Sequence, residues 1–412
     1  MFPHSEPLPV FIHHEGQQRE LGTLTPLGSD VNFSWSAAAV AHGEEWSPLR
    51  LPLNNSQRIV IPSDFNGLAG LFHDALPDGW GRRVLGAPKS EDSGFSLALL
   101  KQVGHKAWGA LSFGQTQHPP AHQIDLNEIS SSVHAIEHNA GAFFPLLWTL
   151  GGWFHGARPK IAVDLNDNQQ ALPPDSQQEG FTPWLIKFAA QDEHPETSVG
   201  EDLYMQMAQQ MGIDVMPHRV LILDGRPCFA TQRFDRKNGQ KIFTHSLSGL
   251  LHCSHRVANL DYIILGRVLR QLTPEINLEQ AFRRVCFNAA LSVRDDHAKN
   301  ISLMKKGSVW GLTPAYDLTY MTGPRGYHYM NFANCPERDP TREFVLRVGN
   351  EYDLSPPVAH RILNQAVDIA FEMLHQSQGL LSASWNRPIK KRLKEICKGL
   401  RPRFSATHRS KT

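Results

Sequence analysis

The sequence predicts an α+β protein built from more than one packed unit. Three observations carry this: the first 115 residues read as short strands and turns, the stretch beyond residue 240 reads as mainly helical, and 412 residues exceed what one ordinary core accommodates. Strand-rich sequence followed by helix-rich sequence is the pattern of segregated α+β architectures.

The elements follow in order. "PVFIHH", "RELGTLTPLG", "NFSWS" and "RIVIP" read as strands, and the apolar, aromatic segment "GLAGLFHDALPDGWGRRVL" comes after them. The polar stretch "FGQTQHPPAHQIDLNE" marks a boundary near residue 120. "KIAVDL" and "PWLIKFAA" are alternating runs joined by the polar hairpin loop "NDNQQALPPDSQQEG". "VGEDLYMQMAQQMG" reads as a helix, because Leu203, Met207 and Met211 recur at i, i+4 and i+8 and Gly212 suits its end. The stripe Met205, Met207 and Met211 is core packing. Asp224-Gly225 between two apolar runs makes "HRVLILDGRPCFATQRF" a hairpin. "PEINLEQAFRRVCFNAALSV" is a helix, with Pro274 in its first turn and Phe282, Val285, Cys286, Ala289 and Val293 along one face. The polar loop Arg294–Asn300 follows, then a strand "ISLM", a turn at Lys305-Lys306-Gly307, a strand "SVWGLTP" and Tyr316-Asp317. The basic end "KKRLKEICKGLRPRF" reads as a solvated helix face.

Composition bounds the function. Hydrophobic residues make up 41% and charged residues 20%, a globular balance, and the formal net charge of +1 gives no global reason to expect nucleic acid or an anionic membrane. The five cysteines are scattered and never spaced as C-x-x-C, which argues against a disulfide framework or a structural zinc site and fits a reducing cytosol. "HCSH" at 252–255 is a half-site with no second pair, so a helix-surface coincidence is the expectation. No basic-then-apolar leader opens the chain, and nowhere do about 18 apolar residues run together. A soluble, cytoplasmic protein is expected.

The chemistry concentrates in "VRDDHAKNISLM", residues 293–304. Asp295 and Asn300 stand five apart, and Asp317 follows beyond the hairpin. Phosphoryl transfer needs such a set: one Asp accepts the proton of the attacking hydroxyl, while an Asn and a second Asp hold the divalent ions that bridge nucleotide phosphates. Protein kinases space the catalytic-loop Asp and Asn as D-x-x-x-x-N. Asp296 lacks that offset and reads as a supporting or surface acid. Upstream, Lys187 sits in an apolar strand, where burial is costly without an anion. A phosphate together with Glu201, fourteen residues on, would supply one. Gly151, Gly152 and Gly156 form a glycine-bearing turn whose N–H groups can approach phosphates.

"FNAALSVRDDHAKNISL", "LTPAYDL", "GARPK", "LIKF", "QRFDR" and "HSLSGLL" together resemble the HipA-like serine/threonine kinases, the toxins of toxin–antitoxin operons. With "HDALPDGWGRR", the resemblance runs from about residue 60 to about residue 320 and more faintly onward. It implies a protein-kinase-like bilobal fold: a small mostly-β N-terminal subdomain (1–120), a mixed N-lobe (121–235) and an all-helical C-lobe (236–412). It also implies roles. Asp295 matches the catalytic aspartate (the base), Asn300 and Asp317 the Mg²⁺ ligands, and Lys187, with Glu201, the ATP lysine. His297, Lys299 and Asn300 match a nucleotide-contacting stretch, joined by Tyr316 of the "LTPAYDL" motif. Gln232, Arg233 and Phe234 match the adenine hinge, and the turn carrying Gly152, His155 and Gly156 before Lys160 matches the phosphate loop. Many members carry a self-phosphorylated Ser three residues before Gly156, and here Trp153 stands there. Implied partners are a protein with a Ser or Thr acceptor and a small helix-turn-helix antitoxin, through which any DNA contact is made; no membrane is implied. Three rivals stay open: a non-catalytic kinase fold acting as a binding or corepressor subunit, a metal nuclease built on Asp295 and Asp317, and a small-molecule kinase.

Overall fold

A computed structural model describes residues 6–28, 30–53, 61–85, 93–114, 122–138, 145–151, 154, 156–258 and 260–402. In chain order the elements are β1 (Leu8–His14), β2 (Gln17–Leu27), β3 (Asp30–Trp35), α1 (Ala37–His42), α2 (Gly70–His73), α3 (Gly79–Val84), α4 (Ser93–Val103) and β4 (Leu111–Phe113). Then come α5 (Leu126–His138), α6 (Pro145–Gly151), β5 (Lys160–Leu165), β6 (Ala171–Leu172), β7 (Thr182–Lys187), α7 (Thr197–Gln210), β8 (His218–Leu223) and β9 (Arg226–Gln232). They are followed by β10 (Arg236–Lys237), β11 (Gln240–Lys241), β12 (Thr244–Ser246), α8 (Leu247–Leu251), β13 (Leu260–Asp261), α9 (Tyr262–Leu272) and α10 (Glu279–Leu291). The last are β14 (Ser302–Lys306), β15 (Val309–Leu312), β16 (Met330–Asn331), α11 (Arg342–Glu351), α12 (Pro356–Leu380) and α13 (Ala383–Leu400). Among the described residues no helix is long and apolar enough to cross a membrane.

The chain gathers into two compact units. The first holds Met1–Asp202, Val215–Val257 and Ala298–Tyr316; the second holds Leu203–Asp214, Ala258–His297 and Asp317–Thr412.

The first unit contains three sheets of three or more strands. An antiparallel sheet in the order β3-β2-β1-β4 opens it. Alternation along β1 buries Leu8, Val10 and Ile12, and Glu15-Gly16, with φ of 51° and 75°, turns the chain back into β2. The expected strands "PVFIHH", "RELGTLTPLG" and "NFSWS" are therefore present, whereas most of "RIVIP" lies outside the described residues. Four helices accompany this sheet, two of them, α2 and α3, cut from the "GLAGLFHDALPDGWGRRVL" segment. The second sheet has the order β6-β5-β7-β9-β8 and is antiparallel throughout. Its β8–β9 turn is Asp224-Gly225, with φ of 49° and 71°, as the sequence anticipates. The third sheet, β12-β14-β15, sets Thr244 opposite Met304 and Leu303 opposite Leu312.

Among the described residues the second unit is helical apart from one short parallel pair, Leu260–Asp261 with Met330–Asn331. Its centre is α10, which packs against α11, α12 and α13 and buries Phe282, Val285, Cys286 and Ala289. Pro274 lies ahead of this helix rather than in its first turn: α10 begins at Glu279, whose N–H is taken by the Asn277 side chain at 2.8 Å. An Asx acceptor two residues upstream is the stronger start signal, and the proline belongs to the connection before it. Ser292 in the left-handed region (φ 56°) ends α10 and releases the chain into the polar loop. Met205, Met207 and Met211 are fully buried, as core residues should be.

Candidate nucleotide-binding and catalytic-loop residues

Lys187 ends β7 and lies directly opposite Lys160, which begins β5. Directly opposed residues of an antiparallel pair share a face. Two ammonium groups, each on a residue only 4% exposed, thus stand abreast in the interior. Such an arrangement is unfavourable unless anions compensate it. Glu201 of α7, with a side chain wholly excluded from solvent, provides one: Oε1 lies 2.5 Å from Lys187 Nζ. Its other oxygen, Oε2, lies 2.5 Å from a guanidinium nitrogen of Arg158, whose Nε reaches Glu193 at 3.1 Å. The predicted Lys187–Glu201 pair is present. Arg158, the arginine of "GARPK", is a partner that sequence reasoning did not name.

Gly156 adopts φ +94°, a backbone conformation that side chains with a Cβ rarely adopt, so this position favours glycine. Gly152 and His155, along with Trp153, lie outside the described residues. The "HDALPDGWGRR" segment holds the Gly156 and Lys160 backbone. Trp80 donates its indole N–H to the Lys160 carbonyl at 2.8 Å and its backbone N–H to the Gly156 carbonyl at 3.1 Å. Asp78 of the same segment pairs with Lys299 Nζ at 3.3 Å, and Asp74 accepts from the Ser246 backbone N–H (2.7 Å) and hydroxyl (2.7 Å) while pairing with His245 at 2.6 Å. Ser246 in turn caps α8, and the α8 N–H groups of Leu247 and Ser248 donate to the carbonyls of Ile301 and Ala298. The separate motifs "HDALPDGWGRR", "HSLSGLL", "GARPK" and "HAKNISL" thus meet within the first unit. His252 accepts the Gly70 N–H at 2.8 Å, which gives the "HCSH" histidine a structural task.

At the end of β9, Gln232 pairs with Trp184 across the sheet. The Arg233 side chain is buried and committed: it makes two bonds to Asp235 (2.9 and 2.8 Å) and its guanidinium lies 5.0 Å over the Phe154 ring. Phe234 faces Tyr316, ring centroids 5.5 Å apart, and Tyr316 is fixed by its hydroxyl to the Lys299 carbonyl (2.8 Å) and to Ser302 (2.6 Å). Half-buried Phe234 and Tyr316 form an aromatic wall of the kind that stacks a base. Asn300 is half-buried in the same unit.

Asp295, His297 and Asp317 belong to the second unit. Asp295 keeps a side chain 32% exposed, with His297 Nε2 at 3.7 Å. Its two neighbours are buried. Arg294, 1% exposed, donates to Ser292 Oγ (3.0 Å), to the Gly326 carbonyl and to Asp339. Asp296, read from sequence as a supporting or surface acid, is not a surface residue. Its side chain is fully buried and accepts from Tyr262 OH (2.7 Å) and the backbone N–H of Tyr329 (2.8 Å), with His328 Nδ1 at 2.9 Å. Burial, then the Asp296 charge, pushes the Tyr262 phenol well above its ordinary value, so it stays a donor. The Tyr329 phenol is likewise raised by burial and by Asp295, and its ring meets His297 edge-on at 5.5 Å. Asp317 sits at φ +54°, a left-handed conformation that Asp tolerates better than most residues and that is often retained at functional positions.

The model of the HipA-like C-terminal domain matches residues 153–374, and that of the HipA N-terminal domain matches residues 15–114. The chain belongs to the HipA family. Its fold is α+β and kinase-like, as this family is expected to be. HipA of Shewanella oneidensis MR-1, solved with HipB and its operator DNA, superposes with a TM-score of 0.68 over 94% of this chain and 96% of that one, at 16% identity. Two proteins of Sinorhizobium fredii, Y4mE and Y4dM, whose names class them provisionally as kinases, are 25% identical over 177 residues and 27% identical over 150 residues. These alignments cover 40% and 33% of this chain, and only 41% and 36% of the relatives' own lengths. Arg158 and Asp78, which sequence reasoning did not single out, lie within the motifs "GARPK" and "HDALPDGWGRR".

Proposed function

We propose that this HipA-family chain is an ATP-dependent serine/threonine protein kinase, the toxin of a toxin–antitoxin pair that phosphorylates a cellular protein and so arrests growth. The buried Lys187–Glu201 pair carries the proposal: a lysine held charged in an apolar strand by one helix carboxylate is a built receptor for phosphate oxygens. Asp295, half-exposed between two buried neighbours, accepts the proton of the Ser or Thr hydroxyl as its oxygen attacks the γ-phosphorus; the bond to ADP breaks and ADP leaves. Lys187 and Lys160 take the phosphate charge, and Phe234 and Tyr316, with the backbone at Gln232 and Arg233, take the adenine. Asn300 and Asp317 offer the hard oxygen donors that Mg²⁺ selects, and a bound Mg²⁺ would screen the phosphate oxygens. The ranges 1–120, 121–235 and 236–412 remain the proposed functional division.

A small helix-turn-helix antitoxin is the proposed partner, supported by HipB in the Shewanella complex, with DNA reached through it and the cytoplasm as the site of action. Expression of the chain without its partner should inhibit growth, and Asp295→Asn should relieve that. In purified protein, Asp295→Asn and Asp317→Ala should each lower phosphotransfer by several orders of magnitude, since positioning and charge dominate this chemistry. Calorimetric titration should show Mg²⁺-ATP binding weakened by Asp317→Ala and largely spared by Asp295→Asn. Unaltered transfer by Asp295→Asn overturns the proposal. ATP binding without transfer in the parent chain supports the binding-subunit reading suggested by Trp153, and DNA cleavage without ATP supports the nuclease reading.

A further inference from the structure

Both neighbours of Asp295 grip the segment that follows Asp317. Arg294 donates to the Gly326 carbonyl, while the backbone of Ser292, two residues before it, accepts Met321 N–H at 3.2 Å. Gly323 lies against Arg294 so closely that a Cβ there would fall 2.9 Å from the arginine Cβ and collide with the Tyr327 carbonyl. On the other side Asp296 takes the N–H of Tyr329 and pairs with His328. Residues 321–329 are therefore wrapped around the two buried charges that flank Asp295.

The arginine is the less ordinary half. A guanidinium 1% exposed needs a fixed anion. Asp339 is that anion, and its carboxylate is held from the other side by Arg392 of α13, whose one nitrogen lies 2.5 and 2.7 Å from the two oxygens. In kinases whose corresponding segments are switched, an arginine waits for a phosphate to order them. Here the anion belongs to the chain.

We infer that Asp339 is a built-in anion that locks residues 321–329 onto Arg294, so that the geometry around Asp295 needs no phosphorylation of that segment. Asp339, Arg294 and Arg392 are positioning residues, and the inference rests on the kinase reading of Asp295. The clamp predicts three things of the full chain. Treatment of the wild-type protein with phosphatase leaves transfer from ATP to a casein acceptor unchanged. Asp339→Asn raises amide hydrogen exchange across 321–329 about tenfold or more, because two charge-assisted partners lose their anion. The same variant lowers kcat by about 10²-fold, the cost of a misplacement near 1 Å, with KM for ATP nearly unchanged. Asp339→Glu should recover part of both effects, and Arg392→Gln, which leaves the Arg294–Asp339 pair in place, should reproduce them more weakly. Exchange over 321–329 that stays at the wild-type rate in both Asp339→Asn and Arg392→Gln overturns the clamp, as does loss of transfer on phosphatase treatment. If the wild type transfers no phosphate, the kinase reading falls, and the exchange measurement still decides the clamp.

Discussion

Glu201→Gln is the sharpest test of the first unit. The wild-type carboxylate is excluded from solvent and serves two cations at 2.5 Å, Lys187 with a side chain 5% exposed and Arg158 with one 19% exposed. Glutamine keeps the shape and one acceptor oxygen but loses the charge, and its amide then points a donor at whichever cation the oxygen does not face. Removing one partner of a buried pair costs about 3–5 kcal/mol, because the charge left behind stays desolvated. The Arg158 bond adds less, about 1 kcal/mol or below, since that side chain is partly solvated and still has Glu193. Opposed Lys160 aggravates the loss, since like charges directly opposite on adjacent strands repel. We therefore expect Glu201→Gln to lose about 3–5 kcal/mol in the denaturant transition that reports the first unit. Arg158→Met should lose about 1 kcal/mol. Fluorescence of Trp184, on β7 itself, provides a local probe in chains where the other tryptophans are replaced. If Glu201→Gln unfolds at the wild-type denaturant concentration, the carboxylate is not the counter-charge described here, and the receptor argument built on it fails.

Other perturbations follow from the same contacts. Asp296→Asn should release His328 and Tyr329 and destabilise the second unit by about 2–3 kcal/mol through lost bonds to a buried charge, read as accelerated exchange at residues 328–330; unchanged exchange there would refute the anchoring role. Burial alone would raise the Asp175 and Asp235 carboxyls, but Arg236 and Arg233 hold both below their ordinary value of 3.8. A carboxyl lowered in the folded state contributes stability that is complete above its unfolded value and drains as the pH falls below it. Asp175→Asn should therefore flatten the loss of stability between about pH 4 and pH 2 while costing most near neutrality, a difference that urea midpoints across that range would reveal. Finally, Trp153 cannot carry phosphate, so Mg²⁺-ATP should leave no phosphate between Leu150 and Lys160 apart from any labile phosphohistidine at His155, and Trp153→Ser should create a self-phosphorylation target that peptide mapping detects. An active Trp153→Ser protein left unmodified would refute the loop assignment.

Much of this was legible because the signals are local. Asp224-Gly225 announces its hairpin through two left-handed residues, and the 3.6-residue rhythm of Leu203, Met207 and Met211 announces α7. The Lys187–Glu201 pair was legible because a charge in an apolar strand demands an explanation within a few turns of chain. What escaped notice is non-local. Arg158 reads as one letter of a short motif until its partner 43 residues away is seen. Asp295 and Asp296 are chemically identical neighbours in a loop without periodicity, and only Tyr262, His328 and Tyr329, more than 30 residues distant, decide which is buried. The helices α2 and α3 are four and six residues long, too short for an apolar period to establish itself.

The division of the chain has a consequence for its birth on the ribosome. The first unit is not a contiguous fragment: β12 pairs with β14, and the Ala298–Tyr316 stretch that supplies β14 and β15 is made only after α9 and α10 have emerged. Until then β12 has an unfilled edge, and the carbonyls of Ala298 and Ile301 that receive the start of α8 do not yet exist. A nascent chain stalled or cleaved before Ser302 therefore ends with an incomplete sheet, a species open to aggregation and to proteases. For a protein proposed to halt growth, a chain that stops short of β14 thus lacks the strand on which β12 and the start of α8 depend.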